Sequence, residues 1–216
     1  MDAPDPTPPT DAGTGRGSGI GAAARERWNT VCLELYLVVV RVGWIFKTET
    51  IIMPAVLDAV VDSGLLRGLL PVLNRGGQSL PPLLLAGLLA RRPVKKWTLV
   101  RTTLAMAGCF AVLAAVWGPL RARRPDILAV VFLALYAAFS AANGLTQLVA
   151  AAIQGKLIPP QRRGRAMVVG AAVGSVLAIV AAVALLGPWL ALADGFPRIF
   201  AATAAFFAVA GIVPAF

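Results

Sequence analysis

Tyr136, Ser140, Asn143, Gln147 and Gln154 follow one another at spacings of four, three, four and seven residues. On an α-helix these intervals put all five hydroxyl and amide groups on one face. The residues between them are mostly Ala, Leu, Val and Phe. A polar stripe on such an apolar helix either lines a solute path or hydrogen-bonds neighbouring helices, and cavity lining is the reading for Tyr136, Ser140, Asn143 and Gln147.

Three other places set charge or amide groups inside apolar stretches: Lys47 with Glu49, Asn74 with Arg75 and Gln78, and Asp58. Ionisable groups within a membrane are costly and mark substrate, ion or proton pathways. Lys47 and Glu49 stand two residues apart, on different faces of one helix, so they are not expected to pair. Glu49 has two open readings: it pairs with Arg75 across the first two spans, or both groups snorkel to the interface. A buried Glu49 would be the candidate site for a proton or another cation.

Other chemistry is poorly provided for. The chain has no histidine, and no cluster of Cys, Asp and Glu stands at metal-ligand spacing, so neither a metal nor another cofactor is expected. Nucleophile and base pairs that need histidine are excluded with it, and no enzyme is expected. Cys32 and Cys109 lie within apolar runs and read as small buried hydrophobes. The net charge of +10 sits mainly in short patches with few aromatics between them, which argues against nucleic acid as a partner.

The elements that must carry these groups are membrane spans. Of 216 residues, 58% are hydrophobic and 14% charged, against about 25% charged in a soluble domain. Residues 1–24, rich in Pro, Gly, Thr, Asp and Ala, are expected to form a disordered cytoplasmic tail rather than a signal peptide. An amphipathic or interfacial lead-in helix is expected over roughly 25–38, followed by six spans over about 39–62, 65–90, 97–118, 126–153, 166–190 and 196–216. Pro54 should kink the first span. A turn near residues 47–50 is rejected there, because neither Gly nor Pro provides it. The polar block from Asn74 to Gln78, with Pro71, Pro81 and Pro82 around it, should loosen the second span where it lines protein or a water-filled cavity. Gly170 and Gly174 give the fifth span an edge for close helix packing.

Between the second and third spans lies a basic turn built on Gly87, Leu89, Ala90, Arg91, Arg92, Lys95 and Lys96. Four cations within six positions must face water, and a short loop of this kind stays on the cytoplasmic side. Arg25 and Arg27 before the first apolar stretch, and the basic loop from Lys156 to Arg165, agree in parity. The loop holding Arg121, Arg123 and Arg124 falls on the outside against the trend. An integral protein of the plasma (inner) membrane with a cytoplasmic N-terminus is expected.

Six spans with this turn resemble the N-terminal half of a major facilitator superfamily transporter. The family's signature in the turn has the form Gly-x-Leu-Ala-Asp-Arg-x-Gly-Arg-Lys. Gly87, Leu89, Ala90, Arg92 and Lys96 fit it, Lys95 is a basic substitute, Val94 replaces the second glycine, and Arg91 replaces the acidic residue. The loop from Pro159 to Arg165 resembles the family's link between helices four and five. The resemblance covers about residues 37–216. It implies an all-α membrane protein whose six transmembrane helices form one half of a bundle, with helices one and four lining a central cavity. The implied activity is secondary transport of a small solute by alternating access, coupled to a proton or another ion. Its implied partners, besides the lipid bilayer and the solute, are a missing C-terminal half or a second copy of the chain. The chain then reads as an N-terminal half or a truncated form. The alternative is a non-transporting membrane interaction or scaffold protein, in which polar stripes serve helix association.

Overall fold

A computed structural model describes residues 16–90, 95–158, 160–192 and 194–215. Among these residues every regular element is helical. The chain forms α1 (Arg16–Ile45), α2 (Ile52–Asp58), α3 (Gly64–Ala90), α4 (Lys95–Arg123), α5 (Pro125–Leu157), α6 (Pro160–Ala181), α7 (Gly187–Leu190) and α8 (Gly195–Ile212). Five stretches among the described residues are long and apolar enough to cross a membrane: Arg27–Ile45, Lys95–Arg123, Pro125–Leu157, Met167–Leu190 and Gly195–Ile212. This is the fold of a multi-pass integral membrane protein. At 27 residues α3 has the length for a span, but Arg67, Asn74, Arg75 and Gln78 keep it out of the five.

The N-terminal third departs from the sequence expectation. Residues 16–24, expected in a disordered tail, already belong to α1, which runs unbroken through the expected lead-in boundary near 38. Ala22, Ala23, Ala24, Arg25, Glu26 and Arg27 are strong helix formers, and extending an existing helix avoids the cost of nucleation. Where a first span over 39–62 was expected, the helix stops at Ile45 and restarts at Ile52. Thr48 makes the break. Its Oγ1 donates to the Ile45 carbonyl at 2.8 Å, and its own carbonyl accepts from the N–H groups of Ile52 (2.9 Å) and Met53 (3.2 Å). Pro54, expected as a kink, instead sits in the first turn of α2, where a missing N–H leaves no bond unmade.

The long helices alternate in direction. Leu33, Leu99, Val149, Ile158 and Ala210 cluster at one end of the bundle. Toward the other end, α2 buries Ile52, Met53, Val56 and Leu57 in a larger core with Trp117, Leu128, Phe132, Ile199 and Phe200. Phe139 occupies the centre of that core, 5.0 Å from Phe110 and 5.6 Å from Phe207 between ring centroids.

The principal helix contacts have an internal order. α4 packs on α5 and α8, α3 on α5, and α1 on α6 and α8. Exchanging α1 with α5, α3 with α6 and α4 with α8 maps these pairs onto themselves. Because α1 and α5 run in opposite directions, one three-helix set is inverted relative to the other.

Glycines allow the equivalent crossings. A Cβ at Gly77 would lie 2.6 Å from the Ser140 Cβ, and one at Gly144 would lie 2.6 Å from the Gln78 carbonyl oxygen, so α3 and α5 touch backbone to backbone. At the exchanged crossing, a Cβ at Gly174 would meet the Arg41 Cβ at 2.9 Å, and one at Gly170 would lie 3.9 Å from the Leu37 Cβ. The polar block of α3 is therefore a close contact within an unbroken helix, where a loosened segment was expected.

Two more local features follow from proline. Pro125 opens α5 immediately after α4 ends at Arg123, so of the arginines expected in an outer loop Arg121 and Arg123 lie in the last turn of α4 and Arg124 precedes Pro125 at the junction. Pro188 cannot donate to the carbonyl of Ala184 and its ring crowds it. The preceding turn, Ala182–Leu186, is π-helical and accommodates one extra residue.

Candidate functional site

The break between α1 and α2 delivers Lys47 into the bundle core, where it is 1% exposed. Three ring faces surround its ammonium. Nζ lies 4.4 Å from the Trp44 centroid, 5.0 Å from Phe139 and 5.5 Å from Tyr136, all within the range of cation–π attraction. These contacts offset part of the desolvation of a charge that no carboxylate among the described residues approaches to salt-bridge distance.

Glu49 lies on the same break and is half-buried. The Asn74 side-chain amide donates to its Oε2, and the Gln78 amide donates to Asn74 Oδ1 at 2.6 Å. Asn74 and Gln78 are one helical turn apart on α3, so both amides reach the break in series. Arg75, one residue on, is turned away and exposed. The cross-helix pair of Glu49 and Arg75 is not formed, because consecutive residues of a helix diverge by about 100° and Asn74 holds the inward position. Arg67 forms ion pairs with Asp58 and Asp62. Asp58 is thus a surface partner at the end of α2. Lys47 and Glu49 do not form a salt bridge; they belong to a turn, so the helix-face argument for keeping them apart does not apply.

On α5 the stripe is buried along part of its length. Tyr136, Ser140 and Asn143 are enclosed, whereas Gln147 is exposed and Gln154 half-buried. The face is shared but its cover is not: the broken segment lies over Tyr136 and Phe139 and no longer over Gln147. Ser140 Oγ returns its hydrogen bond to the Tyr136 carbonyl at 2.8 Å. Tyr136 Oη and Asn143 Nδ2, like Trp117 Nε1 in the core, are buried with no hydrogen-bond partner among the described residues. Unpaired buried polar atoms are uncommon and point to a water or ligand.

The basic turn lies elsewhere. Gly87 and Leu89 lie in α3 and Ala90 ends it, while Lys95 and Lys96 open α4. Arg91 and Arg92 fall outside the described residues, as does Pro159 of the second basic loop. Leu89 packs against the cluster around Leu99 and Val149, and Lys96 Nζ stands 5.4 Å from the Trp97 ring. A Cβ at Gly87 would meet nothing within 4 Å.

Sequence reasoning missed Trp44 and Phe139, the two nearest rings to Lys47, because aromatics in an apolar run carry no signal of their own. It also missed Gly77 and Gly144 as the positions where α3 and α5 approach closely, although both stand beside the polar residues that it singled out. Comparisons with models of protein families, with curated proteins and with solved structures find no match for this chain.

Proposed function

We propose that the chain is a six-helix half of a secondary transporter of the major facilitator type, moving a small solute by alternating access. The observation that carries this reading is the exchange of helix pairs between two inverted three-helix sets, with a broken helix bringing polar groups to the bundle interior. Inverted repeats and discontinuous helices near the midplane are how many secondary transporters build their sites. Lys47, Glu49, Asn74, Gln78, Tyr136 and Asn143 are the proposed lining of that site. Glu49, held by the Asn74 and Gln78 amides, is the proposed site of a coupling proton or cation.

Charge supports a cytoplasmic N-terminus in the inner membrane. Lys95, Lys96 and Lys156 gather at the bundle end that holds Leu33 and Glu34, while the opposite end sets Arg67, Arg121 and Arg123 against Asp58, Asp62 and Asp126. The other half of the site would come from a C-terminal half or a second copy of the chain.

A second reading, a non-transporting membrane interaction protein, is favoured by exposed Arg75 and Gln147, which give the outer side of the bundle polar groups for a partner helix. Replacing both Asn143 and Gln147 by Leu separates the two. Transport requires that counterflow into reconstituted vesicles fail while the protein stays folded; an interaction role requires that assembly be lost. Wild-type vesicles that show no counterflow with any member of a broad solute panel, and no ligand-dependent rise in melting temperature, would sink the transport reading.

A further inference from the structure

We infer that Trp44, Tyr136 and Phe139 form an aromatic box for an organic cation, an alkylated or quaternary ammonium group, and that Lys47 occupies the box as a tethered stand-in. The inference names a solute class for the transporter reading and rests on that reading for its physiological role; the box itself is a question of binding.

The geometry supports a box that exists apart from its occupant. Trp44 meets Phe139 edge-on at 6.3 Å, and Tyr136 lies nearly parallel to Phe139 at 6.4 Å. Phe139 is in turn braced by Phe110 and Phe207, and Tyr136 by Phe132 at 6.1 Å. None of these braces involves Lys47. The rings come from the end of α1 and from α5, whereas Lys47 enters from the turn over 46–51 on a flexible four-carbon stem. Withdrawal of the lysine therefore leaves the walls standing.

The electrostatics choose a cation over a neutral or anionic guest. Three ring faces present their negative quadrupole to one point, which attracts a cation and repels an anion. The Glu49 charge acts on both Lys47 and Tyr136 and supplies a counter-charge close to the box. An ammonium ligand entering as Lys47 leaves replaces one positive charge by another. A quaternary head suits three ring faces because it carries no N–H donors that need acceptors. The unpaired Tyr136 hydroxyl remains for a polar substituent of the same ligand.

The test is equilibrium binding of choline to purified full-length protein in detergent, beside its uncharged isostere 3,3-dimethyl-1-butanol. Lys47→Ala vacates the box, and choline should bind at least tenfold tighter than to wild type while the isostere gains much less. Adding Phe139→Leu to Lys47→Ala should remove most of the gain. Lys47→Ser serves as a second vacating variant, and circular dichroism reports folding for each. Unchanged choline affinity in folded Lys47→Ala or Lys47→Ser, or an equal gain for the isostere, overturns the proposal. If neither variant folds, the wild type decides: choline must still be preferred to the isostere, and equal binding of the two overturns the box. Vesicle flux separates this from transport. Choline binding without uptake of choline or of any solute in the panel leaves the box and removes the transporter reading; uptake of other solutes without choline binding does the reverse.

Discussion

Asn74 donates its amide to the Glu49 carboxylate, while its chain neighbour Arg75 faces away from the bundle. Replacing Asn74 by Leu leaves a half-buried carboxylate without its donor, at an expected cost of about 1–3 kcal/mol. Arg75→Ala should stay within about 0.5 kcal/mol of wild type. Melting temperatures in one detergent decide; a larger loss for Arg75→Ala would mean that the guanidinium, not the amide, holds Glu49.

The α3–α5 crossing gives the sharpest contrast between neighbouring positions. Gly77→Ala and Gly144→Ala force methyl groups into backbone 2.6 Å to 2.9 Å away, and each should destabilise by about 1–3 kcal/mol. Gly76→Ala, whose Cβ meets nothing within 4 Å, should be neutral or should stabilise by about 0.5–1 kcal/mol through helix propensity. Equal effects at positions 76 and 77 in thermal unfolding would contradict the crossing.

Lys47→Met removes a buried charge and keeps the length of the side chain. Apolar replacements of buried charged groups are often neutral or stabilising, so the melting temperature should hold or rise while solute counterflow falls to background. A variant that melts lower and still exchanges solute would show Lys47 to be a structural group.

Thr48→Val deletes one hydroxyl from the break at nearly constant shape. Loss of the 2.8 Å bond to the Ile45 carbonyl should cost about 1 kcal/mol. Because the hydroxyl ties the turn that carries Lys47, fluorescence of Trp44 in a background lacking the other four tryptophans should change as well. No change in either measure would remove Thr48 from the account.

Orientation is open to labelling. In a background with Cys32 and Cys109 replaced by Ala, a cysteine at position 62 should react with an impermeant thiol reagent added outside intact cells, and one at position 156 should not. The opposite pattern would invert the chain.

The helical class, the membrane character and the packing edge at Gly170 and Gly174 were legible because they rest on composition and periodicity, which survive any tertiary arrangement. The break at 46–51 was not. It is made by Thr48, whose hydroxyl and carbonyl gather the loose ends of two helices, and a threonine in an apolar run resembles a strand former more than a punctuation mark. Arg75 was placed in the site as a charge within an apolar span, yet a single step along the helix from Asn74 is enough to turn a side chain from core to surface. Gln147 shares the face of Asn143 and still escapes burial, since a helix face says where a residue points and nothing about what covers it.

The wide turn at Ala182–Leu186 acts as a phase shifter. One additional residue in that turn offsets all that follows by roughly a quarter of a helical revolution relative to an uninterrupted α-helix. Trp189 reaches the Phe46 ring, 6.1 Å away, at that shifted azimuth. Rewinding the turn as ordinary α-helix with every residue retained would swing the indole off Phe46, the residue that immediately precedes Lys47, whereas deleting one alanine together with the bulge would keep it in place. A proline far along the chain thus sets the rotational register in which the first helix is met at its break.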